Sequence, residues 1–188
     1  MLKTFFILAA CLTLTTAANL FTNGDFEQPL EVGWTQSVNN AAGSYSFDRW
    51  DTMGQPVPGF AARVYKSLAY YATLSQTTAV PGADLDFSLD CRLRIAGGSS
   101  TCWPACAVVV SYLRANEEEL GSTMILLRNE YCTWVESDTL HFIDITEPGQ
   151  WRTYRFNVAE EIAMYLPGVN PVDVAKVKAQ LYSYDNGT

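Results

Sequence analysis

The sequence predicts an all-β chain folded as a single antiparallel β-sandwich of jelly-roll type. Two observations predict it. Short segments alternate apolar and polar residues with period two, and Gly, Pro, Asn and Glu cluster in the turns between them. Nothing resembles the strand–helix–strand rhythm of a parallel α/β sheet.

Taken in chain order, strands are expected at Ser44–Asp51, Phe60–Lys66 and Tyr70–Val80. The clearest is Asp84 to Ile95, where Leu85, Phe87, Leu89, Cys91, Leu93 and Ile95 face one way. Asp86, Ser88, Asp90, Arg92 and Arg94 face the other, giving one buried and one wet side. Ala107–Arg114, Thr123–Tyr131 and His141–Thr146 follow. Trp151 to Val158 sets Tyr154, Phe156 and Val158 against Thr153, Arg155 and Asn157. Val174 to Tyr184 sets Val177, Ala179 and Leu181 against Lys176, Lys178, Gln180 and Tyr182. The expected helical turn, Glu160 to Leu166, stops at Pro167-Gly168.

The chain has 188 residues, of which 48% are hydrophobic and 17% charged, enough apolar content for one packed domain. Residues 1–18 read as a secretory signal: a Lys3 start, an apolar run from Thr4 to Leu14, and small residues at Thr15-Thr16-Ala17-Ala18. That run is too short to span a bilayer. Residues 19–188 then form the domain, outside the cell or on its surface. A net charge of −8 is the wrong sign for a nucleic-acid binder. A single histidine argues against multi-histidine metal sites.

Without Cys11 of the apolar run, Cys91, Cys102, Cys106 and Cys132 remain, an even number that suggests two disulfides in an exported chain. Three connectivities are open. Cys102 and Cys106 could close a small loop around Trp103-Pro104-Ala105, leaving Cys91 for Cys132. Zinc is the competing use of such cysteines.

Asn19-Leu20-Phe21-Thr22-Asn23-Gly24-Asp25-Phe26-Glu27 followed by Gly33-Trp34 resembles the opening of secreted carbohydrate-binding modules with a galactose-binding-like jelly roll. Ala61-Ala62-Arg63-Val64, Ala72-Thr73-Leu74-Ser75-Gln76, Val80-Pro81-Gly82 and Val110-Ser111-Tyr112-Leu113 are similar to later segments of that family, in order. So are Glu119-Leu120-Gly121-Ser122-Thr123 and Gly149-Gln150-Trp151-Arg152-Thr153-Tyr154. The resemblance implies a non-catalytic module that binds a polysaccharide or cell-surface glycan. It also implies a structural calcium ion at Glu27, whose usual partner Asp lies on a last strand that this sequence lacks. Either the sequence is a fragment of a longer chain, or the open sheet edge accepts a strand from another copy, so a structural subunit assembling by edge-strand exchange is the alternative.

Glycans are held by flat aromatic faces with planar polar groups beside them. Trp34 and Trp151 fall at positions that the resemblance assigns to the core. Trp50 lies among charges in Asp48-Arg49-Trp50-Asp51, Trp103 in the cysteine-bounded loop, and Trp134 ahead of Glu136 and Asp138. These three are the stacking candidates, although each could instead cover a sheet edge. Arg92, Arg94 and Asp90 are candidate hydrogen-bonding partners, set against a plain solvated face, and Tyr112 is a ligand candidate open between core and cleft. Catalysis has less support. His141 has no nucleophile in its sequence context, and Glu117-Glu118-Glu119 reads as a solvated charge run rather than an opposed pair of acids. A small glycan-active enzyme is therefore the remote third reading.

Overall fold

The structure is a computed structural model, and it describes residues 19–39, 42–51 and 59–187. The expected signal at 1–18 lies outside the described residues. Among those described are ten strands and one α-helix. The strands are β1 Thr35–Val38, β2 Ser44–Asp51, β3 Phe60–Ser67, β4 Tyr70–Ala79 and β5 Asp86–Cys91. After them come β6 Pro104–Leu113, β7 Glu119–Arg128, β8 Leu140–Asp144, β9 Arg152–Asn157 and β10 Lys176–Asp185. Helix α1, Val158–Tyr165, directly follows β9. No helix among the described residues is long and apolar enough to cross a membrane.

One layer is a six-stranded sheet in the order β1-β4-β10-β6-β7-β8. The other is two separate ribbons, β2-β3 and β5-β9. Between them lies the main core, where Leu74, Val110, Tyr112, Val177 and Ala179 of the large sheet meet Phe87 of β5 and Val158, Ile162 and Leu166. Phe47, Val64 and Phe156 close it from the ribbons. This is the all-β sandwich that the period-two pattern predicts. The alternation assigned to β5 and β10 holds: Phe87 and Cys91 are buried, as are Val177 and Ala179.

One expectation needs correction. The pairing is not wholly antiparallel, because β7 and β8 run parallel, with Met124 opposite Phe142. Parallel neighbours need a long crossover, and residues 129–139 supply it. That crossover folds over one end of the outer sheet face. Strand β1, short and polar, escapes a pattern-based reading, and it pairs only through Thr35–Val38 with β4.

Trp34 is buried, with its indole N–H donating to the Asn23 carbonyl (3.1 Å) and its ring against Phe26. Trp151 is half-buried beneath the Arg92 guanidinium. The β3–β4 turn carries three successive non-glycine residues at positive φ: Leu68, Ala69 and Tyr70. Such backbone is costly and needs outside support. Asp185 accepts from the Leu68 N–H (3.2 Å), the Gly187 carbonyl from Ala69 (2.7 Å), and the buried Lys66 ammonium donates to the Leu68 carbonyl.

Candidate functional site

The outward face of the six-stranded sheet changes character from one end to the other. Cross-strand register sets this gradient. Tyr184 lies between Tyr71 and Ala105, and Tyr182 between Thr73 and Ala107. Farther along, Gln180 lies between Ser75 and Val109, then Lys178 between Thr77 and Ser111. The Ala105 and Ala107 side chains are too small to crowd the tyrosine rings beside them. From Tyr184 to Lys178 the face extends about 20 Å at ~3.3 Å per residue.

The aromatic end is a ladder of rings. Tyr71 stacks on Tyr182 at 6.3 Å, and Tyr182 on Tyr184 at 6.1 Å with planes 11° apart. Trp134 leans against both, at 5.8 and 5.2 Å. All four rings are half-buried, so each keeps some surface toward solvent. Burial, with Tyr184 and Tyr71 nearby, pushes the Tyr182 phenol up to about 12. It stays neutral and able to donate a hydrogen bond at ordinary pH. The groove has a volume of about 330 Å³ and an apolar floor of Val109, Met124, Leu140 and Phe142, with Ser111, Gln180 and Glu119 at its polar end.

The crossover that carries Trp134 is pinned. Arg128 donates to the Trp134 carbonyl (2.6 Å) and grips Asp144 through two nitrogens, each at 3.1 Å. Glu136 accepts from the Phe142 N–H (2.9 Å). The indole is therefore held in place before any ligand arrives.

The other sequence candidates are dispersed. Trp103 is 6% exposed, packed edge-on behind Trp134 and against Tyr184. The loop does not hold it out; the Trp103 backbone N–H donates to the Asn186 side-chain oxygen (2.5 Å), and the ring backs the ladder instead of meeting solvent. Tyr112 is fully buried, its hydroxyl 2.9 Å from Thr123 Oγ1, so it belongs to the core and not to a cleft. Trp50 is exposed on the opposite layer, where Arg92 and Arg63 lie over its ring at 5.0 and 5.8 Å. Trp50 and Arg92 thus come together, but away from Trp134. Arg94 is exposed and stands beside Gly149.

Glu27 accepts from the Phe60 N–H (3.1 Å) and lies 3.9 Å from Arg49. Among the described residues no group of three or more acidic, Cys or His side chains could hold a metal ion. An arginine beside a lone carboxylate does not fit a calcium site. The structure shows no S–S bond among Cys91, Cys102, Cys106 and Cys132, neither Cys102–Cys106 nor Cys91–Cys132. Cys91 packs between the layers with Val108 and Ile125, whereas Cys132 lies against Trp103 on the other side of the large sheet. Cys102 faces Asp185 (3.5 Å) and Cys106 faces the Arg94 carbonyl (3.4 Å).

His141 does have partners. Its Nδ1 lies 2.5 Å from Glu161 Oε1, which also accepts from Thr123 (2.9 Å), and its ring stacks on Tyr165 at 4.0 Å. Glu161 is buried, and the set ties α1 to β7 and β8.

Tyr71, Tyr182 and Tyr184 were not among the sequence candidates. A usable signal was present: the side of β10 that carries Lys176, Lys178 and Gln180 also carries Tyr182 and Tyr184, and large rings on a wet face call for an explanation.

No family model matches the chain, and no curated protein matches it. Two solved structures share its general outline. One is the enzymatically active domain of tailspike protein 4 of bacteriophage CBA120, 11% identical with a TM-score of 0.46; the match covers 89% of this chain but only 19% of the tailspike chain. The other is the family 11 carbohydrate-binding module of a cellulosomal cellulase of Clostridium thermocellum. It is 11% identical with a TM-score of 0.41, over 92% of this chain and 94% of that one. Likenesses at this level carry no argument about what this chain binds.

Proposed function

We propose that this chain is an exported, non-catalytic module that binds a polysaccharide along the outward face of its six-stranded sheet. The observation that carries the reading is the half-buried ladder of Tyr71, Tyr182, Tyr184 and Trp134 beside Ser111, Gln180 and Glu119. Apolar ring faces next to planar and hydroxyl groups match the alternating CH and OH surfaces of a pyranose. The net charge of −8 favours a neutral glycan over a polyanion.

Affinity electrophoresis in gels that contain soluble neutral polysaccharides tests this. The chain should be retarded by at least one of them. Trp134→Ala and Tyr182→Ala should each lose most of the retardation, a tenfold or greater weakening at roughly 1.5 kcal/mol per ring. Trp50→Ala, on the other layer, should bind as the parent does. No retardation by any neutral glycan, or equal retardation of all variants, rejects the reading.

A second reading rests on the ribbons. Among the described residues β2 and β3 pair only with each other, as do β5 and β9, so the second layer keeps unpaired strand edges. Such edges suit assembly by strand exchange. Size-exclusion chromatography over a range of concentrations decides it: a monomer throughout removes this role.

A further inference from the structure

We infer that Cys91 and Cys106 are joined by a disulfide that ties the two layers of the sandwich when the chain folds under oxidising conditions. The inference stands apart from the glycan reading. Cys91 closes β5 on its inward side and packs in one cluster with Val108 and Ile125. Cys106 lies two residues from Val108 on β6 and therefore shares its inward face. The Cys106 Sγ is 3.4 Å from the carbonyl of Arg94, three residues beyond Cys91. The chain from 91 to 94 thus runs against β6 from Val108 to Cys106, with both cysteines on the inward side of their strands. Both residues are buried. A bridge between facing sheets is established β-sandwich chemistry, and immunoglobulin domains carry one. Cys132 cannot compete for Cys91, since the six-stranded sheet separates them.

The charge on one thiol is felt by the other: burial first, then the proximity of Cys106, pushes the Cys91 thiol up to about 12. Burial pushes Cys106 to about 12 as well. Little thiolate exists at neutral pH once the fold has closed, so the bond forms during folding and not after it. With oxidised glutathione as oxidant, one cysteine thiolate attacks the glutathione disulfide and forms a mixed disulfide, expelling one glutathione thiolate. The second cysteine thiolate then attacks the protein sulfur of that mixed disulfide and expels the other glutathione. The two protein thiols lose two protons and two electrons, and one glutathione disulfide becomes two glutathiones.

The test refolds the full chain from denaturant in a glutathione redox buffer, alkylates the remaining thiols, and maps unreduced peptides by mass spectrometry. A peptide pair linking Cys91 to Cys106 is expected. A Cys91–Cys132 or Cys102–Cys106 link, or alkylation of both Cys91 and Cys106, overturns the inference. The triple variant Cys11→Ser/Cys102→Ser/Cys132→Ser keeps only the inferred pair. Refolded in the same buffer it should form an intramolecular disulfide and melt roughly 5–10 °C above its reduced form. Two free thiols in the folded variant would likewise overturn the inference.

Discussion

At the scale of single residues, Lys66 shows how a charged side chain earns a buried place. Its ammonium donates to the carbonyls of Ala42 (2.9 Å), Ser67 (3.3 Å) and Leu68, and so fixes a turn whose next residues sit at positive φ. Replacing it with Met keeps the volume but strips three acceptors of their donor. Lys66→Met should cost about 1–3 kcal/mol. A lowered urea midpoint with an unchanged m-value would show it, and an unchanged midpoint would refute the role. Tyr182 supplies a pH prediction. Burial holds its folded-state value at about 12 against the ordinary 10.0, so the folded protein resists ionising it. Its contribution is complete below pH 10 and is lost as pH rises through about 12. Thermal melts should therefore fall across that window, and Tyr182→Phe should flatten the fall.

At the scale of elements, α1 depends on the cap residue just before it and on one anchor. Asn157 accepts from the N–H groups of Ala159 (3.0 Å) and Glu160 (3.3 Å), and its amide donates to Asp84 (3.0 Å). Asn157→Ala should destabilise the protein by about 1–2 kcal/mol, measured by denaturant titration, while Asn157→Asp keeps the cap and should recover part of the loss. Glu161 then fastens the helix to β7 and β8 through Thr123 and His141. The strands themselves were largely legible. Ser44–Asp51 was read without error, and most others within a few residues, because period-two alternation reports a strand with one wet face. Two features were not. Strand β1 carries Thr35, Gln36 and Ser37, which give no apolar alternation to detect. The parallel partnership of β7 and β8 depends on where the 129–139 crossover travels, which local pattern does not encode.

At the scale of the whole molecule, the sandwich has two unlike outer faces. The six-stranded face offers rings and polar groups in a continuous gradient. The opposite layer offers Trp50 already engaged by two arginines. Among the described residues the ring ladder and its groove lie on the first, and for that reason the electrophoresis prediction separates Trp134 and Tyr182 from Trp50. The disulfide prediction belongs to the same scale, since it concerns how the two layers are held together.

Alternation and composition alone determined a two-layer β chain with a wet and a dry side to β5 and β10, because side chains of an extended backbone must point to alternate faces. They also placed Trp134 among three stacking candidates, with Trp50 and Trp103. Which rings converge, and on which side of the large sheet each cysteine lies, only the tertiary structure decided. Trp103 sank while Trp134 stayed partly open, although both looked equally available, because Trp134 itself packs over Trp103 together with Tyr184. Proximity across a sheet is set by register between strands far apart in the chain, and no local stretch of sequence records it.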